Sequence, residues 1–387
     1  MNWPVPDKFS FPAEENELSR ILKSKKRNHQ KIIDLTISSP YRGGLDFREY
    51  LPKIPITEEY FPDPKGESNL LHSILLDYHS HGRSVEPDSI FLTSGTSESI
   101  SVLIKLFTNP GDEAILLSPG YPLFEELLNW ESIRVKKLDM EFQPGIKSFW
   151  RINIPSLEKA ITSKTKLFFL VQPNNPTGMT LNPDNKREVE MLLEKHGILI
   201  VLDEVFSDYN HTNKSYPEEW DVNSIYLNGI SKKFGLPGWK LGWFYIKWKE
   251  KKDKSVLDRM EHILDTYLNV SYPIQLAGSQ LFQFREAIQS RIRNRLQTNL
   301  DRLRNELKDE SIRPFFPDFG WYIPLKVETG FSTERLAEFL LYHEDIYLYP
   351  GEFFGFKEKF FVISLLSNEE DLQSSIVKIK NLFNQKL

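Results

Sequence analysis

A glycine flanked by small hydroxyl residues follows an apolar run in the segment Ser94-Gly95-Thr96-Ser97, and a helical period begins directly after it. A strand that leads through glycine into a helix leaves backbone N–H groups free. These groups and the helix dipole favour an anion such as a phosphate, and the hydroxyls add further donors. The alternative is an ordinary helix N-cap, because serine and threonine are preferred at that position in any protein.

Three further segments follow short apolar runs and carry side chains suited to chemistry. The segment Gln172-Pro173-Asn174-Asn175-Pro176-Thr177-Gly178 holds two amides among turn residues, and Asp203 places a carboxylate after the run Ile198–Leu202. Lys232 and Lys233 lie on a glycine-rich loop among aromatic residues. Desolvation there would lower the pKa of a lysine and free its amine to form a Schiff base.

Each of these three segments also has an ordinary structural explanation. The amide segment could be a rigid loop, and the aspartate could cap the helix that follows it. The two lysines could be solvated surface residues, which is the usual state of a Lys-Lys pair. Taken alone, none of the segments identifies a reaction.

The strands that precede these segments decide whether the side chains meet. From about residue 88 the chain alternates short apolar runs with longer amphipathic stretches, a pattern typical of strands covered by helices on both faces. It predicts an α/β fold with a large domain built on a mostly parallel, seven-stranded sheet between helices. The predicted strands are Ser89–Thr93, Ala114–Leu117, Ile133–Leu138, Leu167–Val171, Ile198–Leu202, Ile225–Leu227 and Gly242–Ile246. Ligands of such sheets bind beyond the carboxyl ends of the strands, so the four segments are expected to share one edge.

A smaller α+β domain is predicted from both ends of the chain. Residues 281–308 read as one long helix, and the remaining C-terminal elements are a strand near Trp321–Val327, a helix near Thr333–Leu341, strands near Ile346–Tyr349 and Phe360–Leu365, and a final helix. The first 45 residues hold a basic helical stretch and one apolar run, which is too little to fold alone. We therefore expect a large domain over residues 46–290 and a small domain over residues 1–45 and 291–387.

Composition excludes several classes of function. The chain has 387 residues with 49 Lys and Arg against 54 Asp and Glu, a net charge of −5, which argues against nucleic-acid binding. It has no cysteine, so disulfides, thiolate metal sites and a cysteine nucleophile are excluded, and the histidines show no metal-ligand spacing. The apolar runs are too short to cross a bilayer and the first residues do not resemble a signal peptide, so a cytoplasmic protein without membrane contact is expected.

Together the four segments supply the groups that pyridoxal phosphate requires. Its phosphate binds at a helix N-terminus, its ring nitrogen pairs with a carboxylate, its phenolic oxygen accepts from a donor, and its aldehyde binds a lysine amine. The order of the segments along the chain resembles the fold type I pyridoxal-phosphate enzymes, and specifically the class I/II aminotransferases, over roughly residues 30–383. The resemblance is carried by Asn-Asn-Pro-Thr-Gly at 174–178, Asp-Glu-Val-Phe at 203–206 and Ser-Lys-Lys-Phe-Gly-Leu-Pro-Gly-Trp-Lys at 231–240.

The resemblance implies roles for three residues around the cofactor ring. Lys232 would be the Schiff-base lysine, because it precedes one variable residue and then Phe-Gly, as in the family. Its free amine would then move a proton between the substrate's α-carbon and the cofactor. Asp203 would pair with the pyridinium nitrogen and keep it protonated, and Asn175 would donate to the phenolic oxygen.

The phosphate and the ring face have assigned residues as well. Gly95, Thr96 and Ser97 would hold the phosphate. Tyr121, in Pro-Gly-Tyr-Pro, matches the aromatic residue that stacks on the ring, and Lys240 stands where the family usually has a phosphate-binding arginine.

One tyrosine bears on the assembly. Tyr60, in Tyr-Phe-Pro-Asp-Pro-Lys-Gly, resembles the tyrosine that reaches the phosphate of the neighbouring subunit, although its distance to the glycine is one residue longer than expected. The resemblance therefore implies a homodimer with active sites at the subunit interface.

The sequence departs from the family pattern at four positions. Phe206 replaces a tyrosine that usually bonds the phenolic oxygen, Gly229 replaces a phosphate-binding serine, and Lys240 lacks the two-point grip of arginine. Val362 stands where the family has the arginine that grips the substrate's α-carboxylate. We expect Arg42 to substitute for that arginine as the substrate-binding cation, with an ordinary surface arginine as the alternative.

The sequence thus predicts a pyridoxal-phosphate-dependent aminotransferase that takes a small-molecule amino donor and a carbonyl acceptor. Two alternatives stay open. The same cofactor could serve a lyase, decarboxylase or racemase, because the way the substrate is held decides which bond breaks. A degenerate protein kept as a binding module is the other, and the joint presence of Lys232, Asp203 and Asn175 argues against it.

Overall fold

The computed structural model describes residues 6, 8, 15–55, 57, 62–143, 149–212, 214–308 and 311–384. These residues form twelve α-helices and fourteen β-strands. The helices are α1 (Glu17–Arg27), α2 (Ser68–Ser80), α3 (Thr96–Phe107), α4 (Leu123–Trp130), α5 (Ile154–Ala160), α6 (Pro183–His196), α7 (Ile230–Lys233), α8 (Lys254–Tyr267), α9 (Tyr272–Leu281), α10 (Arg285–Glu306), α11 (Thr333–Glu344) and α12 (Glu369–Asn384). The strands are β1 (Ile33–Asp34), β2 (Ile90–Thr93), β3 (Glu113–Ser118), β4 (Arg134–Gln143), β5 (Phe149–Ile152), β6 (Thr165–Val171), β7 (Leu199–Asp203), β8 (Ser224–Gly229), β9 (Gly242–Lys247), β10 (Ile312–Pro314), β11 (Tyr322–Val327), β12 (Ile346–Tyr347), β13 (Tyr349–Pro350) and β14 (Phe360–Ser364).

The large sheet has the strand order β2-β9-β8-β7-β6-β3-β4-β5. The pairings from β8 through β7, β6 and β3 to β4 are parallel, whereas β9 is antiparallel to both β8 and β2, so β2 runs in the same direction as β8. The predicted α/β fold is confirmed, with one strand more than expected. The extra strand β5 pairs antiparallel with the end of β4.

Both faces of the large sheet are buried. The neighbours Phe168 and Phe169 on β6 belong to two different apolar clusters, one on each side of the sheet. The same split separates Ile200 from Val201 on β7. Each central strand therefore reads as a continuous apolar run, because neither of its faces meets water.

A four-stranded antiparallel sheet in the order β10-β11-β14-β13 forms the centre of the smaller unit. The N-terminal run joins this unit: Ile33 on β1 pairs in parallel with Ile346 on β12, and Ser364 N donates to Leu35 O at 2.7 Å. The prediction of one long helix over residues 281–308 is wrong at its start: α9 ends at Leu281, a 3₁₀ turn spans Phe282–Phe284, and α10 begins at Arg285. The domain division at residues 46 and 291 stays a prediction.

Among the described residues, none of the helices combines the length and apolarity needed to span a lipid bilayer.

Candidate active site

One cavity of about 300 Å³ lies at the carboxyl edge of the large sheet, where β2, β3, β6, β7 and β8 end. Ser38, Tyr322 and Tyr349 of the smaller unit close it from the opposite side. Of the ten residues predicted to form the site, eight line this cavity. They are Gly95, Thr96, Ser97, Tyr121, Asn175, Asp203, Lys232 and Lys240.

The N-terminus of α3 forms a cradle for an anion. Gly95 precedes the helix with φ +102°, a backbone conformation that favours glycine, and no side chain caps the helix. Strand β9 approaches this turn so closely that a Cβ on Gly242 would lie 2.7 Å from Gly95 Cα. The ammonium nitrogen of Lys240 lies 3.7 Å from where a Cβ on Gly95 would be. Free N–H groups and a nearby cation therefore converge on one point.

The glycine at position 229 has a steric reason. A Cβ there would lie 3.0 Å from Leu241 O and 3.1 Å from Gly242 Cα, so a serine would need its neighbours to move by a few tenths of an ångström. The departure from the family's serine at this position thus follows from how closely these two strands pack.

Asp203 ends strand β7 with its carboxylate on the cavity wall, where Oδ1 accepts a hydrogen bond of 3.1 Å from Val205 N. Burial raises the pKa of Asp203 to about 6; the bond from Val205 and the charge of Lys232 oppose this, and the neighbouring Glu204 adds to it. An ionised Asp203 is therefore short of counter-charge, and a cationic ring nitrogen would supply it.

Lys232 lies on the short helix α7 and extends its amine into the same cavity. Its Nζ donates to Ser38 O at 3.4 Å and lies 4.9 Å from the centroid of the Trp321 ring. Burial lowers the pKa of Lys232 to about 8, with Asp203 acting in the opposite direction. An uncharged, nucleophilic amine is thus accessible close to neutral pH.

Lys233 has a different environment. Its Nζ donates to Asp208 Oδ2 at 2.8 Å and to Asp77 Oδ2 at 2.9 Å, and its side chain is 1% exposed. These carboxylates raise the pKa of Lys233 in spite of its burial. A permanently charged and doubly paired ammonium cannot act as a nucleophile, so the geometry favours Lys232.

Two further predicted residues, Asn175 and Tyr121, line the same cavity. Asn175 has a buried side-chain oxygen with no hydrogen-bond partner among the described residues. Tyr121 follows β3, and the residue is 42% exposed. The unpartnered oxygen of Asn175 and the exposed side chain of Tyr121 are both available to a ligand.

The structure explains two of the other sequence departures. Phe206 is buried and packs edge-on against Trp321 at 5.6 Å and Tyr322 at 6.1 Å between centroids, an apolar setting that suits a ring without a hydroxyl. Val362 lies fully buried in β14, where its cross-strand neighbours are Pro324 and Tyr349, and it does not line the cavity. Position 362 therefore belongs to the core of the smaller unit.

Sequence reasoning missed the wall that the smaller unit contributes. Burial raises the pKa of both Tyr322 and Tyr349, and hydrogen bonding with Ser38 and with Thr36, respectively, opposes this shift. Phe353 and Phe354 complete this wall and also line an adjoining, more open cleft of about 520 Å³. No local motif marks these residues, because only the packing of the two ends of the chain brings them to the sheet edge.

Two predicted residues are not placed in the cavity. Arg42 does not line it; its Nη2 pairs with Asp34 Oδ2 at 2.8 Å, and 63% of its side chain is exposed. Its role as a carboxylate clamp stays a prediction that requires this ion pair to open. Tyr60 lies outside the described residues.

Comparison with known proteins gives the family. Residues 57–379 match the sequence profile of aminotransferase class I and II, which covers most of the chain. The chain belongs to this family. Family membership makes the protein a pyridoxal-phosphate-dependent transferase.

Relatives and solved structures agree with the family. The chain is 26% identical over 390 residues to the LL-diaminopimelate aminotransferase of Halothermothrix orenii, covering 94% of each protein. It is 24% identical over 321 residues to the aspartate aminotransferase of Sulfolobus acidocaldarius, covering 79% of this chain and 77% of that protein. In fold it is similar to the alanine aminotransferase of Pyrococcus furiosus, with a TM-score of 0.86, 20% identity and coverage of 95% and 96%.

The residues of this aminotransferase fit pyridoxal phosphate. The cradle at Gly95 matches a phosphate, and the buried carboxylate of Asp203 matches a charged ring nitrogen. The side-chain amide of Asn175 lines the cavity and can donate an N–H group to the phenolic oxygen, and the amine of Lys232 matches the aldehyde. Every polar function of the cofactor thus has a group of suitable chemistry in the one cavity.

Proposed function

We propose that this aminotransferase moves an amino group from an amino acid or a related amine to a carbonyl acceptor such as a keto acid. One observation carries the proposal. The amine of Lys232 and the carboxylate of Asp203 line the same cavity as the anion cradle, while the adjacent Lys233 is held in buried ion pairs. A degenerate binding module would have no need of an amine kept close to its uncharged form.

Different residues would bind the different parts of the cofactor. Thr96, Ser97 and Lys240 would hold the phosphate, and the ring of Tyr121 would cover one ring face. Asp203 would keep the ring nitrogen charged. When bound, pyridoxal phosphate supplies an electron sink that makes the bond next to the substrate's amino nitrogen easier to ionise.

Lys232 would first hold the cofactor through its amine and then act as the proton carrier. A general base works best when its pKa lies near the working pH, and burial brings the pKa of Lys232 to about 8. Two aromatic rings lie close to its Nζ, with centroid distances of 5.6 Å for Phe206 and 4.9 Å for Trp321. In its uncharged form the amine could take a proton from the substrate carbon and deliver it to the cofactor.

The assembly is part of the proposal. We expect a homodimer in which Tyr60 of one subunit reaches the phosphate site of the other. The chain segment next to Tyr60 offers support, because Pro64 and Lys65 border a small cavity shared with Leu268, an apolar side chain that is 67% exposed. An uncovered leucine beside this segment fits a subunit contact.

Borohydride reduction of the protein loaded with pyridoxal phosphate tests the attachment. We expect the reduced cofactor to be recovered by peptide mapping on Lys232, with none on Lys233, which serves as a control within the same peptide region. The Lys232→Ala variant should lose both the label and the visible absorption of the attached cofactor. Label on Lys233, or undiminished label in Lys232→Ala, would contradict the proposal.

A screen of amino donors tests the reaction type. Each donor is added to the loaded protein without acceptor, and the absorbance of the cofactor is followed through a single turnover. Conversion to the amine form of the cofactor, reversed by a keto acid, is the result expected for amino transfer. Release of product without that conversion would instead identify a lyase, decarboxylase or racemase.

A further inference from the structure

Two buried ion pairs are adjacent in sequence to the proposed site. Each pair includes the residue that directly follows a group used by the proposed function. Lys233 follows Lys232, and Glu204 follows Asp203. Both side chains are about 1% exposed. Buried charges of this kind persist only when they are fully paired, so each pair fixes the position of the backbone that carries it.

The first pair, together with two hydrogen bonds to the backbone, holds the turn that carries Lys232. The Lys233 ammonium binds both oxygens of Asp208, at 2.8 and 3.0 Å, and one oxygen of Asp77 at 2.9 Å. The hydroxyl of Tyr209 donates to Lys232 O at 2.7 Å, and Gln289 Nε2 donates to Lys233 O at 3.1 Å. Helix α7 is only four residues long, so these contacts supply the rigidity that its own hydrogen bonds cannot.

The second pair holds the end of β7. Arg83 binds both carboxylate oxygens of Glu204, with one contact at 2.7 Å, and also donates to Pro217 O at 2.8 Å. A two-point contact between a guanidinium and a carboxylate fixes orientation as well as distance. Asp203 is the residue immediately before this fixed carboxylate.

Both pairs end on the same piece of chain. Asp77 lies in α2 and Arg83 lies in the turn that follows it, so one helix and its C-terminal turn receive both contacts. We propose that Lys233 is a positioning residue: through α2 it fixes Lys232 in register with Asp203, so that the amine meets the cofactor's aldehyde while the ring nitrogen meets the carboxylate. This inference rests on the proposed function.

The two neighbouring lysines would therefore have different roles: Lys232 reacts with the cofactor, and Lys233 anchors the helix that carries it. If the Lys233 anchor is lost, the phosphate cradle and Asp203 remain in place, because neither of them contacts Lys233 in the structure. The short helix α7 would then lose its attachment to α2, and the Lys232 amine would spend less time at the reacting position. Binding of the cofactor and its attachment should therefore respond differently.

Lys233→Met tests this difference, with Lys233→Arg as the matched variant that keeps the charge. Binding is measured with pyridoxamine phosphate, which has no aldehyde, and attachment with pyridoxal phosphate followed by borohydride trapping at Lys232. In Lys233→Met we expect unchanged binding of the amine form, whereas the rate of attachment falls by about tenfold or more, since small misplacements of a reacting group have effects of this size. Lys233→Arg should recover most of the rate.

A milder variant keeps the test usable if Lys233→Met does not fold. Tyr209→Phe removes one buried hydroxyl that bonds the backbone of Lys232 and leaves the ion pairs intact. It should slow attachment in the same way without weakening the binding of pyridoxamine phosphate. A purely structural role would lower thermal stability in these variants and leave the attachment rate per folded molecule unchanged, which would overturn the inference.

The outcomes separate this inference from the proposed function. If the unaltered protein does not attach pyridoxal phosphate at Lys232, the proposed function fails. If it does attach there, and Lys233→Met and Tyr209→Phe attach equally fast, only the positioning role of Lys233 fails.

Discussion

At the scale of single residues, Lys232 and Lys233 have the same side chain and opposite pKa shifts. Burial lowers the pKa of Lys232, whereas the carboxylates of Asp77 and Asp208 raise that of Lys233. The motif around Lys232 predicts this residue, and not Lys233, as the Schiff-base lysine. The ion pairs of Lys233 could not be predicted, because its partners come from α2 and from the loop after β7, and no local pattern connects them.

The pH dependence of cofactor attachment follows from the pKa of Lys232. Only the uncharged amine reacts, so the attachment rate should rise with pH and reach half its maximum near pH 8. The ionised Asp203 stabilises the charged amine, so Asp203→Asn should move this midpoint to lower pH. Stopped-flow absorbance measures the rate, and Asp139→Asn, an exposed carboxylate outside the 300 Å³ cavity, is the control. A midpoint that stays or rises in Asp203→Asn would contradict the assignment.

The proposed carboxylate clamp makes an opposed pair of predictions. Arg42 can grip a substrate carboxylate only by releasing Asp34, to which it is bound at 2.8 Å. Arg42→Ala should therefore raise the KM for the amino donor about tenfold, while Asp34→Asn, which frees the guanidinium, should lower it. Steady-state kinetics with the preferred donor decide this. An unchanged KM in Arg42→Ala would show that Arg42 is a surface residue.

At the scale of elements, the strands that are buried on both faces were the most predictable part of the fold. The strands β6 and β7 were found within two residues of their ends, because their apolar runs are uninterrupted. The strand β5 was missed, and the prediction ended β4 at Leu138. Beyond that point β4 alternates buried Met140 with an exposed neighbour, Asp139, as expected where only one face of a sheet is covered.

The Arg83–Glu204 pair joins the segment after α2 to the end of β7, and it should contribute to the stability of the fold. Arg83→Met would leave Glu204 buried without its partner, so we expect a loss of about 3–5 kcal/mol in the free energy of unfolding. Burial already raises the pKa of Glu204, and the loss should grow as pH rises, because the unpaired carboxyl can be neutral only under acidic conditions. Urea unfolding of the apoprotein at several pH values measures it.

A matched control is available on the surface. Arg187 and Asp184 form an exposed pair on α6 at 3.5 Å, and Arg187→Met should leave the unfolding free energy unchanged. Equal effects of the two arginine substitutions would show that the Arg83–Glu204 pair contributes no more than a surface contact.

At the scale of the whole molecule, the cavity is built from parts of the chain that are far apart in sequence. Ser38 comes from the N-terminal region, Lys232 from the middle and Tyr349 from the C-terminal unit. The large-sheet side of this site was predictable, because strand ends and family motifs mark it. The opposite side was not, because it depends on how the smaller unit packs against the sheet.

The proposed dimer gives a prediction at this scale. Leu268→Asp should convert a dimer to monomers and weaken the binding of pyridoxamine phosphate, as measured by light scattering and by titration. Leu268 has φ +65° and ψ 173°, a backbone conformation that is unfavourable for leucine and aspartate alike, so the substitution adds no new backbone strain. Met191→Asp, at an equally exposed apolar position on α6, should leave the dimer intact. A monomeric unaltered protein, or a dimeric Leu268→Asp, would contradict the proposed interface.

Trp321 gives the protein an internal optical reporter. Its indole ring lies 4.9 Å from the amine on which the cofactor is expected to be carried, and indole emission overlaps the absorption of pyridoxal phosphate. Energy transfer over such a short separation is nearly complete, so loading of the site should quench the fluorescence of this tryptophan. Occupancy could then be followed in real time without a label, and Trp321→Phe would identify the share of the signal that comes from this ring.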